Sequence, residues 1–124
     1  MTSVDQVVVL EAGGQRFGVD LGAVERVHAV ESVTALPGLR PPWRGLVALR
    51  GEILPALDVA AYLGVTPRTG ATATVPAGGA IVGRPGLRMV LLSDAPVTLA
   101  PRAAAGQLLD VATILADPRL EVND

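Results

Sequence analysis

Leu49-Arg50-Gly51-Glu52-Ile53-Leu54-Pro55-Ala56-Leu57-Asp58-Val59 sets a charged, glycine-bearing interruption in front of an apolar run that reaches Val59. A second apolar run, Gly45 to Leu49, precedes it. Two such runs joined at Arg50-Gly51-Glu52 predict a β-hairpin that presents opposite charges beside a glycine at its turn. The first strand is expected over Arg44 to Leu49. After the second, Val59 to Leu63 reads as one helical turn stopped at Gly64.

Toward the N-terminus, Val7 to Ala12 is rich in β-branched residues, Gly13-Gly14 follows, and Phe17 and Val19 then alternate with polar or small neighbours over Gln15 to Asp20. Glycines take the positive φ of a tight turn without a Cβ clash, so this is another hairpin. Asp20 is placed to cap a single turn over Leu21 to Val24, and Glu25 to Val30 reads as a short strand. Leu36-Pro37-Gly38-Leu39-Arg40-Pro41-Pro42 is a surface loop, because proline removes donors and fixes φ.

Toward the C-terminus, Val65 to Gly79 offers little to bury and reads as a linker between lobes. Ala80 to Val82 and Leu87 to Leu92 flank Gly83-Arg84-Pro85-Gly86, a third hairpin. A strand over Val97 to Leu99, a loop over Pro101 to Gly106 and a helix over Leu109 to Leu115 complete the pattern. Asp110 is that helix's cap, and Val111, Ile114 and Leu115 share one face. Many short strands at turn spacing make the chain mostly β, built as one or two small antiparallel barrels with a short C-terminal helix.

Composition narrows the function. The 124 residues suit one domain, half of them are apolar, and Phe17, Trp43 and Tyr62 are the only large rings, so the core is expected to be small and aliphatic. Twelve acids against ten arginines give a formal charge of −2, which supplies no basic field for nucleic acid or an anionic membrane, and stacking platforms are scarce. No nucleic-acid partner is expected. Without cysteine there is no disulfide, thiol nucleophile or thiolate metal site, and without lysine no Schiff base or P-loop lysine. His28, the only histidine, reads as a solvated or core imidazole, because a metal cluster or catalytic triad lacks the other members. Asp58, Asp94 and Asp110 are scattered and suit capping and turn roles. The expectation is therefore no enzyme, no metal and no cofactor. Val7 to Leu10 is far shorter than a membrane span of ~20 residues and has no basic segment before it, so a cytoplasmic protein without membrane insertion is expected.

The stretch Arg16 to Gly64 resembles the CheW-like domain of bacterial chemosensory coupling proteins. The resemblance is carried in order by Phe17-Gly18-Val19, Val24-Glu25-Arg26-Val27, Leu36-Pro37, Trp43-Arg44-Gly45-Leu46-Val47 and the Leu49 to Val59 hairpin, ending at Leu63-Gly64. It implies a CheW-like fold of two small SH3-like antiparallel barrel lobes. Lobe one would hold about residues 1–64 plus the C-terminal helix 109–116, and a reduced lobe two about 65–108, within a single domain over 1–124. It also implies an adaptor that binds the cytoplasmic tip of chemoreceptors and the regulatory domain of a CheA-type histidine kinase. Two departures stand out. The acidic position of the family's V-x-E-V segment falls on Arg26, a charge reversal, with Glu25 one place earlier and on the opposite face of a regular strand. The Pro101 to Gln107 connection is short where the family carries further strands, which resembles shortened, FrzB-like members and sets kinase binding apart from receptor binding.

The receptor-binding residues expected on these grounds are Val24, Arg26, Val33, Gly45, Leu49, Arg50 and Gly51. Arg50 leads them, since a guanidinium in a rigid turn offers a planar fork to a carboxylate or carbonyl; its plainer reading is a surface arginine paired with Glu52. Val24, Val33 and Leu49 suit either the wall of a groove for an amphipathic helix or ordinary core. Trp43 is expected to be partly buried. No kinase-binding residue is assigned. The alternatives are a cap that binds receptors while excluding the kinase, and a small ligand-binding barrel; a closed polar pocket would favour the latter, an open apolar groove the adaptor. A lobe that does not close would expose a strand edge, a route to homo-oligomers.

Overall fold

A computed structural model of the protein describes residues 6–30, 32–35, 37–38, 42–64, 77–84 and 87–117. β1 (Gln6–Ala12) and β2 (Gln15–Asp20) form the first hairpin, with Leu10 opposite Phe17. Gly13 and Gly14 both take positive φ, 61° and 81°, which the twist of a two-residue turn requires. A 3-10 turn, Leu21–Ala23, leads to β3 (Val24–Ala29). The side-chain cap expected from Asp20 is not formed. The Val24 N–H closes the turn onto the Leu21 carbonyl, and the Asp20 carboxylate lies 3.6 Å from Arg102.

β4 (Trp43–Leu49) and β5 (Glu52–Leu57) are the hairpin read from the Leu49 to Val59 stretch. α1 (Val59–Leu63) follows; Asp58 accepts from the Ala61 N–H at 3.2 Å, and Gly64 ends the helix at φ 73°. β6 (Gly78–Arg84) pairs with β7 (Leu87–Ser93), then come β8 (Thr98–Pro101), a 3-10 turn Arg102–Ala104, β9 (Gln107–Leu109) and α2 (Val111–Leu115). Asp110 caps α2 by accepting from the Thr113 N–H at 3.3 Å. The expected linker lies outside the described residues from Val65 to Pro76, while Gly78 and Gly79, assigned to it, belong to β6. Gly83, expected in a turn, continues β6 opposite Arg88; Pro85 and Gly86 lie outside the described residues.

The strands form two sheets, ordered β8-β1-β2-β9 and β3-β6-β7-β5-β4. These sheets do not follow the lobe division at residue 64: β1 and β2 pair with strands from the C-terminal part, and β3 to β5 share a sheet with β6 and β7. Most strand pairs are antiparallel, as expected, and two, β2 with β9 and β5 with β7, are parallel. Parallel neighbours need long crossovers, and such pairing leaves no local mark on the sequence. The chain leaving β3 also meets β4: Thr34 and Leu46 exchange N–H to O bonds of 2.9 and 2.8 Å, joining the two edges of the five-stranded sheet.

β6 and β7 are buried on both faces, which is why they read as continuous apolar runs. Ala80, Val82, Met89 and Leu91 face the first sheet, with Leu10, Phe17, Val19 and the buried face of α2. Ile81, Val90 and Leu92 face the other way and join Val30, Val47, Leu54 and Ala56 inside the curled second sheet. The core is therefore small and aliphatic around Phe17, and Trp43 is half-buried against it. Ser93 is the only fully buried polar side chain among the described residues. Its Oγ accepts from the Glu11 N–H at 3.0 Å and donates to the Ala95 carbonyl at 2.6 Å, tying β1 to the end of β7.

Candidate partner-binding site

The β4–β5 turn has two residues. Arg50 takes φ 50° and Gly51 φ 82°, the left-handed pair of a type I′ turn. Among the described residues Arg50 is the only non-glycine with positive φ. A Cβ makes that conformation cost about 1–2 kcal/mol, so the turn holds a side chain that local stability does not favour. Strain of this kind points to a use for the side chain. Arg50 and Gly51 are exposed, while Leu49 is half-buried against the interior of the curled sheet.

Glu52 does not pair with Arg50. Its carboxylate bonds to the Nη1 of Arg88 on β7, and the same guanidinium grips Glu25 of β3 with Nε and Nη2 at 3.2 and 3.0 Å. One arginine thus spans β5, β7 and β3, and its bidentate grip on Glu25 is the stronger, geometrically selective kind of ion pair. Two local features allow it. At Gly83 of β6, between β7 and β3, an added Cβ would lie 2.7 Å from the Arg88 Cγ, so only glycine leaves room for the side chain there. In β3 the register shifts between Val24 and Arg26, a β-bulge that breaks the alternation of faces. Glu25 and Arg26 both border the groove described below.

The hydrogen bond from Arg88 holds the Glu52 carboxyl below the ordinary carboxylate range, despite some opposing desolvation, and the charges of Arg88 and Arg26 add to it. The Arg88 guanidinium is correspondingly held further into its charged form by Glu52 and Glu25. Among the described residues no carboxylate pairs with Arg26 or Arg50.

Beside this charged rim runs an open groove of about 320 Å³ between β3 and the first sheet, lined largely by apolar side chains that include Val8, Val24 and Val97. Leu21, Val27 and Leu99 contribute to it while 44%, 44% and 56% exposed. Sequence reasoning missed these three, because a lone apolar residue in a short strand or turn reads as core. Of the expected residues, Val24 and Arg26 lie in the groove and Arg50 and Gly51 at the turn. Val33 is half-buried against the second sheet's interior. Gly45 is buried, and a Cβ on it would sit 2.2 Å from the Thr34 carbonyl oxygen, so its position serves the closure of the sheet. Asp58 and Asp110 cap helices, and Asp94 accepts from the Gly13 N–H at 3.3 Å. Among the described residues no three His, Cys, Asp or Glu side chains converge as metal ligands would.

Residues 6–100 match the family model of the CheW-like domain. The chain belongs to that family. Over 62 residues it is 32% identical to a Rhizobium etli protein named probable chemotaxis protein CheW, a stretch that is 50% of this chain and 40% of that one. The crystal structure of the scaffolding protein TtCheW from Thermoanaerobacter tengcongensis matches with a TM-score of 0.65 at 25% identity, covering 82% of this chain and 64% of the other. The chain thus spans less than two thirds of either relative. As a CheW-like domain it carries the two β lobes and short helix of that fold. Both the groove residues and the Arg50 turn fall inside the matched span. None of the helices among the described residues is long and apolar enough to cross a membrane.

Proposed function

We propose that this CheW-like domain is a non-enzymatic chemosensory adaptor that binds the cytoplasmic tip of chemoreceptors and couples them to a CheA-type histidine kinase. The observation that carries this reading is the open apolar groove between β3 and the first sheet. Such a groove suits the apolar stripe of an amphipathic helix, and polar groups at its edge set the register of what lies in it. Leu21, Val27 and Leu99 supply contact area and Arg50 polar specificity. A metabolite site would need convergent polar groups in a closed cavity, and this groove is open and apolar.

A second reading, a cap that occupies receptors without recruiting the kinase, draws support from the single 3-10 turn, Arg102–Ala104, that joins β8 to β9. Capture on an immobilised receptor tip with the kinase regulatory domain also present separates the two. A bridge retains the kinase domain; a cap retains only itself. Failure to bind the tip at all would refute both.

A further inference from the structure

The wall that β3 gives the groove depends on the bulge in that strand. Paired residues of neighbouring strands share a face, and the register sets Val24 opposite Val82, Arg26 opposite Ile81 and Val27 opposite Ala80. Val82 and Ala80 belong to the core that faces the first sheet, whereas Ile81 belongs to the interior of the curled second sheet. Val24 and Val27 therefore both turn toward the groove, and Arg26 turns away from it. A regular strand alternates with period two and would put Arg26 on the same face as Val24, setting a charge where Val27 now stands. The extra residue in the bulge, Glu25, makes the difference.

We propose that Arg88 is a positioning residue for the groove: by holding the bulge residue Glu25 it keeps Val27 on the groove face beside Val24. The guanidinium reaches Glu25 from β7, across β6, with Nε and Nη2 at 3.2 and 3.0 Å from the two carboxylate oxygens, and Glu52 of β5 accepts from its Nη1 on the other side. Such a planar, two-point grip fixes the orientation of the carboxylate as well as its distance. Gly83, the register partner of Arg88 on β6, leaves the path open; an added Cβ there would lie 2.7 Å from the Arg88 Cγ and 2.7 Å from the Leu87 carbonyl oxygen. Arg88 continues the row of Val90 and Leu92, which point into the curled sheet, so it acts from the face opposite the groove and need not touch a partner. The proposal rests on the adaptor reading above and adds how the apolar wall is set: the spacing of its two valines is held by an ion pair behind them.

The test uses the full chain in two arms. Without any partner, NMR follows the NOEs between the methyl groups of Val27 and Ala80, register partners on the groove face. Arg88→Gln is expected to weaken them, while Glu52→Gln, which leaves the grip on Glu25 in place, retains them. With immobilised cytoplasmic hairpin fragments of chemoreceptors, Arg88→Gln and Val27→Ala are each expected to lower affinity about threefold to fivefold. The double variant Arg88→Gln/Val27→Ala is expected to bind no more weakly than Val27→Ala alone, because Arg88 acts through that side chain. A merely structural role predicts losses that multiply, as those of independent sites do, and that result overturns the proposal. So do unchanged Val27–Ala80 contacts or wild-type affinity in Arg88→Gln. A wild type that captures no fragment sinks the adaptor reading instead, and the NOE arm then decides the role of Arg88 by itself.

Discussion

Arg50 and Glu52 flank Gly51 in one hairpin turn, yet the Glu52 carboxylate bonds to Arg88, and among the described residues no carboxylate pairs with Arg50. The turn therefore holds an arginine that gains neither a favourable backbone conformation nor an ion pair from the fold. Its predicted signature is a trade between stability and binding. Asparagine adopts the left-handed region more readily, so Arg50→Asn is expected to stabilise the fold by about 0.5–1 kcal/mol while weakening receptor binding. Urea unfolding alongside receptor capture measures both, and a destabilised Arg50→Asn would show that the side chain supports the fold.

The Glu52 carboxyl is held below its ordinary range chiefly by the Arg88 hydrogen bond. A folded-state value below the unfolded one means the contact favours folding above the unfolded value, about 4.3, and loses that effect as pH falls through the lower folded value. Arg88→Gln is expected to bring the Glu52 titration back toward the ordinary glutamate value, as followed by NMR of the side-chain carboxyl. An unchanged titration would separate Arg88 from Glu52.

Gly45 lies where a Cβ would meet the Thr34 carbonyl at 2.2 Å, so Gly45→Ala must displace the segment that joins the edges of the second sheet. The expected cost is roughly 3 kcal/mol or more, with faster hydrogen exchange at the Thr34 and Leu46 amides. Retained protection at both amides would contradict this role.

Ser93→Ala removes the acceptor of the Glu11 N–H at the junction of β1 and β7. A cost of about 1–3 kcal/mol in chemical unfolding is expected, the range for orphaning a buried polar group. A neutral substitution would mean that water reaches the amide.

Much of the fold is legible in the sequence because its signals are local. The pairs Gly13-Gly14 and Arg50-Gly51 announce their hairpins, and Asp58 and Asp110 announce their helices. What is not legible depends on distant partners. β9, three residues long, exists through parallel pairing with Phe17 to Val19. Glu25 sits in a bulge that regular alternation does not foresee. Arg88 reaches Glu25 across a strand that only the sheet order interposes. The Arg50 turn was readable from its motif, whereas the contributions of Leu21, Val27 and Leu99 required the two sheets to be placed side by side.

Binding of the purified chain to an isolated receptor tip, wild type against Leu21→Asp/Leu99→Asp, addresses docking in the groove most directly. Both leucines are largely exposed, so the variant is expected to fold with little change in stability. It should lose at least tenfold in affinity, since two acids then face the apolar stripe of the bound helix. Wild-type affinity in a folded double variant would place the receptor elsewhere on the molecule.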